Sequence, residues 1–297
     1  MKRAFFSLAA LFMLGAFSAS SGGAEGGGAW GAPDRIFGQT GKDLPGGVHR
    51  YGWPRSDLHV TLAGVTVEPA LALGSWAAFR STGSAGKAMA MGDLVLLGSE
   101  AEPVIRELQA ASIDVLAVHN HLVDESPRLM YVHFEGHADA GSLATALKRA
   151  LAKTSTPVPA PTPGQPTAEE SRAFEQIQSV IGRKGSLAGR VLQVGVPRAE
   201  KIEEGGLEIP PAMGMATSMN FQLVGTRVAT TGDFVLTASE VNPVIRELEA
   251  HGIAITALHS HMLAESPRLF FMHFWGVGSP EQIGLALKVA LSKSAVK

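Results

Sequence analysis

Most of this chain is written twice, and the second copy keeps the register of the first. Residues 92–134 return as 232–274 without a gap and with more than half of the positions identical. His259, His261 and His273 each stand 140 positions after His119, His121 and His133. Earlier in each half the match survives at a shifted offset, Pro54-Arg55 against Pro197-Arg198. A repeat of this extent is a duplication, so the chain folds as two domains of one architecture.

The clearest stretch is IDVLAVHNHLVDESPRLMYVHFEG at 113–136, matched by IAITALHSHMLAESPRLFFMHFWG at 253–276. Alternating, Val- and Leu-rich segments flank a turn-like Asp124-Glu125-Ser126-Pro127, which predicts a β-hairpin. With the loop centred on Ser126, His119 faces His133 and His121 faces Tyr131. Side chains alternate along a strand, so His119, His121 and His133 share one face, with opposed Cβ atoms about 5 Å apart. Leu116, Val118, Met130, Val132 and Phe134 take the other face, towards helices.

Each copy reads β-α-β-β-α. The segment 94–97 is a short buried strand, and Ser99 with Glu102 resembles a capping box for a helix bearing Val104, Ile105 and Leu108. The alternative start places Glu102 or Asn242 at the cap and Pro103 or Pro243 at the first helical position. Leu143, Ala146, Leu147, Ala150 and Leu151 fall at helical spacing, matched by Ile283, Ala286, Leu287, Ala290 and Leu291. Strands near 58–67 and 191–196 complete each sheet. The expected fold is α+β, two tandem ferredoxin-like repeats with helices on one face of an antiparallel sheet. Two such sheets can pack histidine face to histidine face.

With 297 residues, 45% of them hydrophobic, the chain can bury the cores of about two domains. Lys2 and Arg3, an apolar run over 4–17 and small residues up to Ala24 have the layout of a secretory signal peptide, 1–24. A Gly- and Ala-rich segment, 25–33, is expected to be flexible. The first domain then spans 34–152, a Pro-rich linker 153–170 and the second domain 171–297. A net charge of −2 without basic clusters argues against a nucleic-acid partner. No later apolar run is long enough for a bilayer span. The expectation is export to the periplasm or the extracellular space. Without any cysteine, thiolate ligands, disulfides and a cysteine nucleophile are excluded.

Three imidazoles on one face, twice over, point to metal. His119, His121 and His133 form one candidate set and His259, His261 and His273 the other. Such a set leaves coordination positions open, which suits zinc first and also copper, manganese or iron. Glu125 and Glu265 are candidate catalytic bases acting through a bound water, as in a metal-dependent hydrolase; the competing reading pairs them with Arg128 and Arg268. Those two arginines are candidate ligand-binding residues for an anionic small molecule, a role Arg55 and Arg198 share in principle, although structural ion pairing suits each of the four better than ligand contact. Asp93 and Asp233, after glycine, read as turn residues. Asn120 and Ser260 point away from the site. Whether the site is catalytic stays open. The rival readings are a cell-envelope module that binds a small anionic ligand, and a histidine hydrogen-bond network between the domains.

GDLVLLGSE, PVIREL and HNHLVDESPRLMYVHFEG, with GDFVLTASEVNPVIREL and ALHSHMLAESPRLFFMHFWG in the second half, resemble the LppY/LpqO family of exported bacterial proteins. The resemblance covers both halves. It implies a duplicated domain of unknown function and export, without a substrate, and this chain has no cysteine for the lipid anchor that the family's name suggests.

Overall fold

A computed structural model of the chain describes residues 29–297. The stretch read as a signal peptide, and residues 25–28 of the flexible segment, lie outside them. The first half runs α1 (Gly31–Phe37), β1 (Lys42–Leu44), β2 (Val48–Pro54), a ribbon of β3 (Thr61–Leu62) and β4 (Val65–Thr66), α2 (Pro69–Ala72), β5 (Gly74–Ser81), β6 (Lys87–Leu97), α3 (Gly98–Ala110), β7 (Asp114–His119), β8 (Leu129–Asp139) and α4 (Ala140–Leu151). The second half repeats it as α5 (Ala168–Ile181), β9 (Ser186–Ala188), β10 (Val191–Pro197), β11 (Glu203–Glu204), β12 (Leu207–Glu208), a 3-10 turn at Pro211–Met213, β13 (Ala216–Val224), β14 (Arg227–Leu236), α6 (Ala238–Ala250), β15 (Ala254–His259), β16 (Phe270–Gly278) and α7 (Pro280–Leu291).

Each half builds a six-stranded antiparallel sheet, ordered β1-β2-β5-β6-β8-β7 in the first and β15-β16-β14-β13-β10-β9 in the second. The expected β-α-β-β-α run is present as β6-α3-β7-β8-α4 and β14-α6-β15-β16-α7. The expected strand at 58–67 is not in the main sheet; it forms the separate β3-β4 ribbon, and the counterpart of β10 is β2. Strand β2 is seated there by Tyr51 and Trp53, two apart and buried on the helix side, and by Val48, buried on the inner face.

The outer face of each sheet carries helices. Val132, Phe134, Val104, Leu108, Leu143 and Leu147 share one core, and Met272, Phe274, Val244, Leu248, Ile283 and Leu287 share its counterpart. The inner faces pack on each other. Val95, Leu129 and Tyr131 of the first half meet Val191, Ala229 and Trp275 of the second, while Val48, Ala78 and Met91 meet Val235, Met262 and Phe271. The molecule is therefore four layers deep, helices, sheet, sheet and helices.

The helix following β6 starts earlier than either expected position. Leu97 and Thr237 are the N-caps, and their backbone N–H groups donate to Glu100 Oε2 (2.8 Å) and Glu240 Oε2 (2.7 Å). Pro103 and Pro243 consequently lie inside the helices. The same carboxylates neutralise buried cations. Arg55, 0% exposed, donates to Glu100 (2.7 and 3.1 Å), Asp57 and Val95 O, and Arg198 does the same with Glu240, Glu200 and Val235 O. Arg55 and Arg198 thus tie strand end to helix start and make no ligand site.

Helix α1 opens at Gly31, ahead of Asp34, and Trp30 stacks on His49 with ring centres 5.6 Å apart. The linker is pinned to the first half by Val158 and Ala160, and Ala160 N donates to Gln39 Oε1 (2.8 Å). Helix α5 takes in residues 168–170, capped reciprocally by Thr167 and Glu170. No helix among the described residues is long and apolar enough to cross a membrane.

Glu100→Ala is expected to destabilise the chain by about 3 kcal/mol, because it strands a buried guanidinium and an N-cap donor together. The measurement is the midpoint of urea unfolding, with Arg106→Ala, in the exposed Arg106–Glu102 pair, leaving that midpoint unchanged.

Candidate metal centre

The hairpin register decides which side chains meet. Across β7 and β8, His119 lies opposite Tyr131, and Ala117 opposite His133, with a bulge between Val115 and Ala117. The expected His119–His133 pairing is therefore off by two residues, because the loop over 120–128 is asymmetric. A slip of two preserves the face, so the histidines stay on one side of the sheet. The bulge moves Leu116 off the helix side, where Val115 packs, and into the inter-sheet core. Val118 sits on the edge strand, 45% exposed. The second half has the same bulge, with His259 opposite Phe271 and Ala257 opposite His273.

The two histidine faces are pressed together, and the trios interleave. Within the first trio, ring centres lie 4.9 to 6.1 Å apart. Across the interface His119 stacks on His259 at 3.6 Å, His121 on His273 at 3.6 Å and His133 on His261 at 3.7 Å. Tyr131 covers the far side of His121 (3.5 Å) and Phe271 that of His261 (3.7 Å), so each outer stack ends on an aromatic wall. One ligand atom each from His119, His121, His259 and His261 lies within 4.8 Å of the others. His259 Nε2 and His261 Nε2 are 3.0 Å apart.

Two further candidate ligands escape the sequence reading. Asp93 and Asp233 are not turn residues; they stand within β6 and β14, paired across the ladder with His133 and His273. Asp93 with His121 and His133, and Asp233 with His261 and His273, each bring three ligand atoms within 4.8 Å of one another. Asp93 is 3.8 Å from His133 Nε2 and 4.0 Å from His121 Nε2, too far for hydrogen bonds. Ligand atoms at ~2.1 Å from one tetrahedral ion stand ~3.4 Å apart, so these spacings are a few tenths of an ångström wider than a closed site and within reach of small side-chain movements. The preceding glycines serve close packing. A Cβ on Gly92 would meet Trp76 O at 2.2 Å and Phe134 Cζ at 2.5 Å, and one on Gly232 would meet Ser218 O at 2.0 Å. A repeated Gly-Asp inside an apolar run was the available signal.

Burial leaves this cluster short of partners. Asp93 Oδ1, Asp233 Oδ1, both ring nitrogens of His119, and Nε2 of His121, His133 and His273 are buried without a hydrogen bond. Desolvation pushes the carboxyls of Asp93 and Asp233 well above the ordinary range, with the Arg50 charge opposing this at Asp93 and the two acids repelling each other at Asp233. It pushes His119 down to about 4 and His259 to about 3, and holds His121, His133, His261 and His273 well below an ordinary imidazole. Neutral imidazoles beside buried acids are a donor set that could coordinate a metal ion. His273 is oriented through Nδ1, 2.9 Å from Gly232 O.

The other expected site residues lie elsewhere. Glu125 and Glu265 do not belong to any of the clusters within 4.8 Å. Their Oε1 atoms accept from Leu129 N and Leu269 N, both at 2.9 Å, so they brace the hairpin loops. Arg268 pairs with Glu265 (3.0 Å) and donates to Ser260 Oγ (2.9 Å) and Met262 O (3.2 Å), and Arg128 is exposed. Asn120 Nδ2 donates to Leu122 O (2.8 Å). Tyr131 donates to Ala72 O (3.0 Å), a structural role consistent with Phe271 in its counterpart. The cavity touching His133 and His261 measures about 10 Å³, space for about one water.

A family model described as Domain of Unknown Function (DUF1259) matches residues 32–153 and again 175–293. No curated protein matches the chain. Among solved structures, a trimeric bacterial microcompartment shell protein, PduB, aligns over 86% of this chain and 90% of its own, at 11% identity and a TM-score of 0.22. That likeness is too slight to bear on fold or activity.

In chelator-treated protein, acid should destabilise. An imidazole whose pKa is depressed in the fold binds protons more readily when unfolded, so its contribution is present above about pH 6.5 and is lost as pH falls towards the folded value. The two raised carboxyls act in the opposite sense, but six imidazoles outnumber them. The unfolding midpoint in denaturant is expected to drop between pH 7 and about pH 5; a flat or rising profile contradicts the buried neutral rings.

Proposed function

The chain belongs to that family, as two tandem copies of its domain, and from this premise we propose that it is a metal-binding protein whose centre the two repeats assemble jointly. The observation that carries this reading is the set of buried, unpartnered ring nitrogens and carboxyl oxygens converging between the sheets. A buried polar atom without a partner costs about 1–3 kcal/mol, and one cation satisfies several of these at once. Imidazole and carboxylate without thiolate suit zinc first, then copper, iron or manganese. His119, His121, His259 and His261 would hold a central ion. Asp93 with His121 and His133, and Asp233 with His261 and His273, offer flanking positions.

The reading is binding rather than turnover of an organic substrate. The cavity that touches His133 and His261 holds about one water molecule, and the glutamates expected as general bases brace loops. An ion bound there would supply Lewis acidity to a small ligand such as water. We further read the chain as exported to the periplasm or beyond, on the strength of Lys2-Arg3 and the apolar run over 4–17, as in the LppY/LpqO proteins it resembles. Each half fits a ferredoxin-like unit in which the strand outside β6, β5, precedes rather than follows the others.

Purified protein titrated with zinc is expected to bind it and to melt at a higher temperature, by the equivalent of about 2.7 kcal/mol at a hundredfold excess over Kd, reversibly with chelator. The His119→Ala, His259→Ala double variant should lose at least about tenfold in affinity. Wild-type protein that takes up no metal, with unchanged melting, contradicts the proposal.

A further inference from the structure

The two inter-sheet cores flanking the histidines are related by the duplication, yet their chemistry differs. On one side lie Leu71, Leu73 and Leu122, with Ala229 and Tyr131. On the other lie Met213, Met215 and Met262, with Met89, Met91 and Phe271. The correspondence follows the chain: Pro69 of α2 matches Pro211 of the 3-10 turn, so Met213 and Met215 replace Leu71 and Leu73. Met262 stands where the first copy has Leu122, and Met91 where the second has Thr231. Of the chain's ten methionines, five gather in this one core.

Four of them, Met91, Met213, Met215 and Met262, line the small cavity that also touches His133 and His261. All four are at most 4% exposed. His133 Nε2 is among the buried nitrogens without a hydrogen bond. Leucine and methionine fill nearly equal volumes, so packing alone is met by either. What methionine adds is a polarisable thioether, a soft donor, and thioether with imidazole in a thiolate-free pocket selects copper(I) over the harder divalent ions. The cavity, about 10 Å³, admits a single ion and excludes a larger ligand.

The geometry points to a second metal site, specific to one side of the duplication, in which Met91, Met213, Met215 and Met262 with His133 or His261 take a soft monovalent cation of the copper(I) class. It rests on the proposed histidine centre only in sharing those two rings.

The test is anaerobic titration of the zinc-treated full chain with copper(I) buffered by bicinchoninate. It is repeated with the triple variant Met213→Leu, Met215→Leu, Met262→Leu, which restores the residue types of the other half. The triple variant is expected to melt close to wild type and keep its zinc stoichiometry, while its copper(I) affinity falls at least tenfold. X-ray absorption of the wild-type complex should show copper–sulfur scattering that the variant loses. His119→Ala, His259→Ala should weaken zinc binding at least about tenfold and leave copper(I) affinity unchanged. Copper(I) held as tightly by the triple variant, or bound by wild type without sulfur scattering, overturns the thioether site. Zinc uptake without copper(I) uptake overturns it alone, whereas uptake of neither metal overturns the histidine centre as well.

Discussion

Removing an imidazole or a carboxyl from water without giving it a partner is among the larger local costs a fold can carry. Here several such groups are confined between two sheets, and the architecture around them follows from keeping them there. The apolar layers on either side exclude water, the aromatic rings of Tyr131 and Phe271 close the outer stacks, and the helices cover the sheets' opposite faces. On the proposed reading, an ion shared among these groups would convert the cost into cohesion between the halves.

The scaffold fixes the ligands through strands rather than loops. His133, His273, Asp93 and Asp233 are held by ladder hydrogen bonds on both sides, in β8, β16, β6 and β14. His121 and His261 sit just past the ends of β7 and β15, where the loops that follow are braced by Glu125 and Glu265. The buried Arg55–Glu100 and Arg198–Glu240 pairs lock the ends of β6 and β14 to the helices that follow, so the strands bearing the aspartates are anchored at their far ends.

Much of this was legible in the residues. Period two put three histidines on one face for the centred register and for any even slip from it, and the observed two-residue slip moved their partners without moving them across the sheet. Helix α4 was readable because Leu143, Ala146, Leu147, Ala150 and Leu151 obey one spacing and are all buried. Asp93 and Asp233 were misread because glycine before an acid is a common turn signal, whereas here glycine answers crowding by Ser218 and Phe134. Glu125 and Glu265 looked like partners of the histidines because they are near in sequence, but the loop carries them away from the rings. Thr237 with Glu240 is a capping box readable in the second copy, whereas the first copy has Leu97 at that cap and offers only Ser99 with Glu102. The interleaving of the two trios is a tertiary contact between segments far apart in the chain, and no local pattern encodes it.

The segment joining the halves has a role beyond spacing. Because it leaves both histidine faces on one polypeptide, bringing them together is a first-order event whose extent does not depend on how much protein is present. Two separate chains carrying the same six rings would come apart on dilution; this one stays assembled however thinly it is spread.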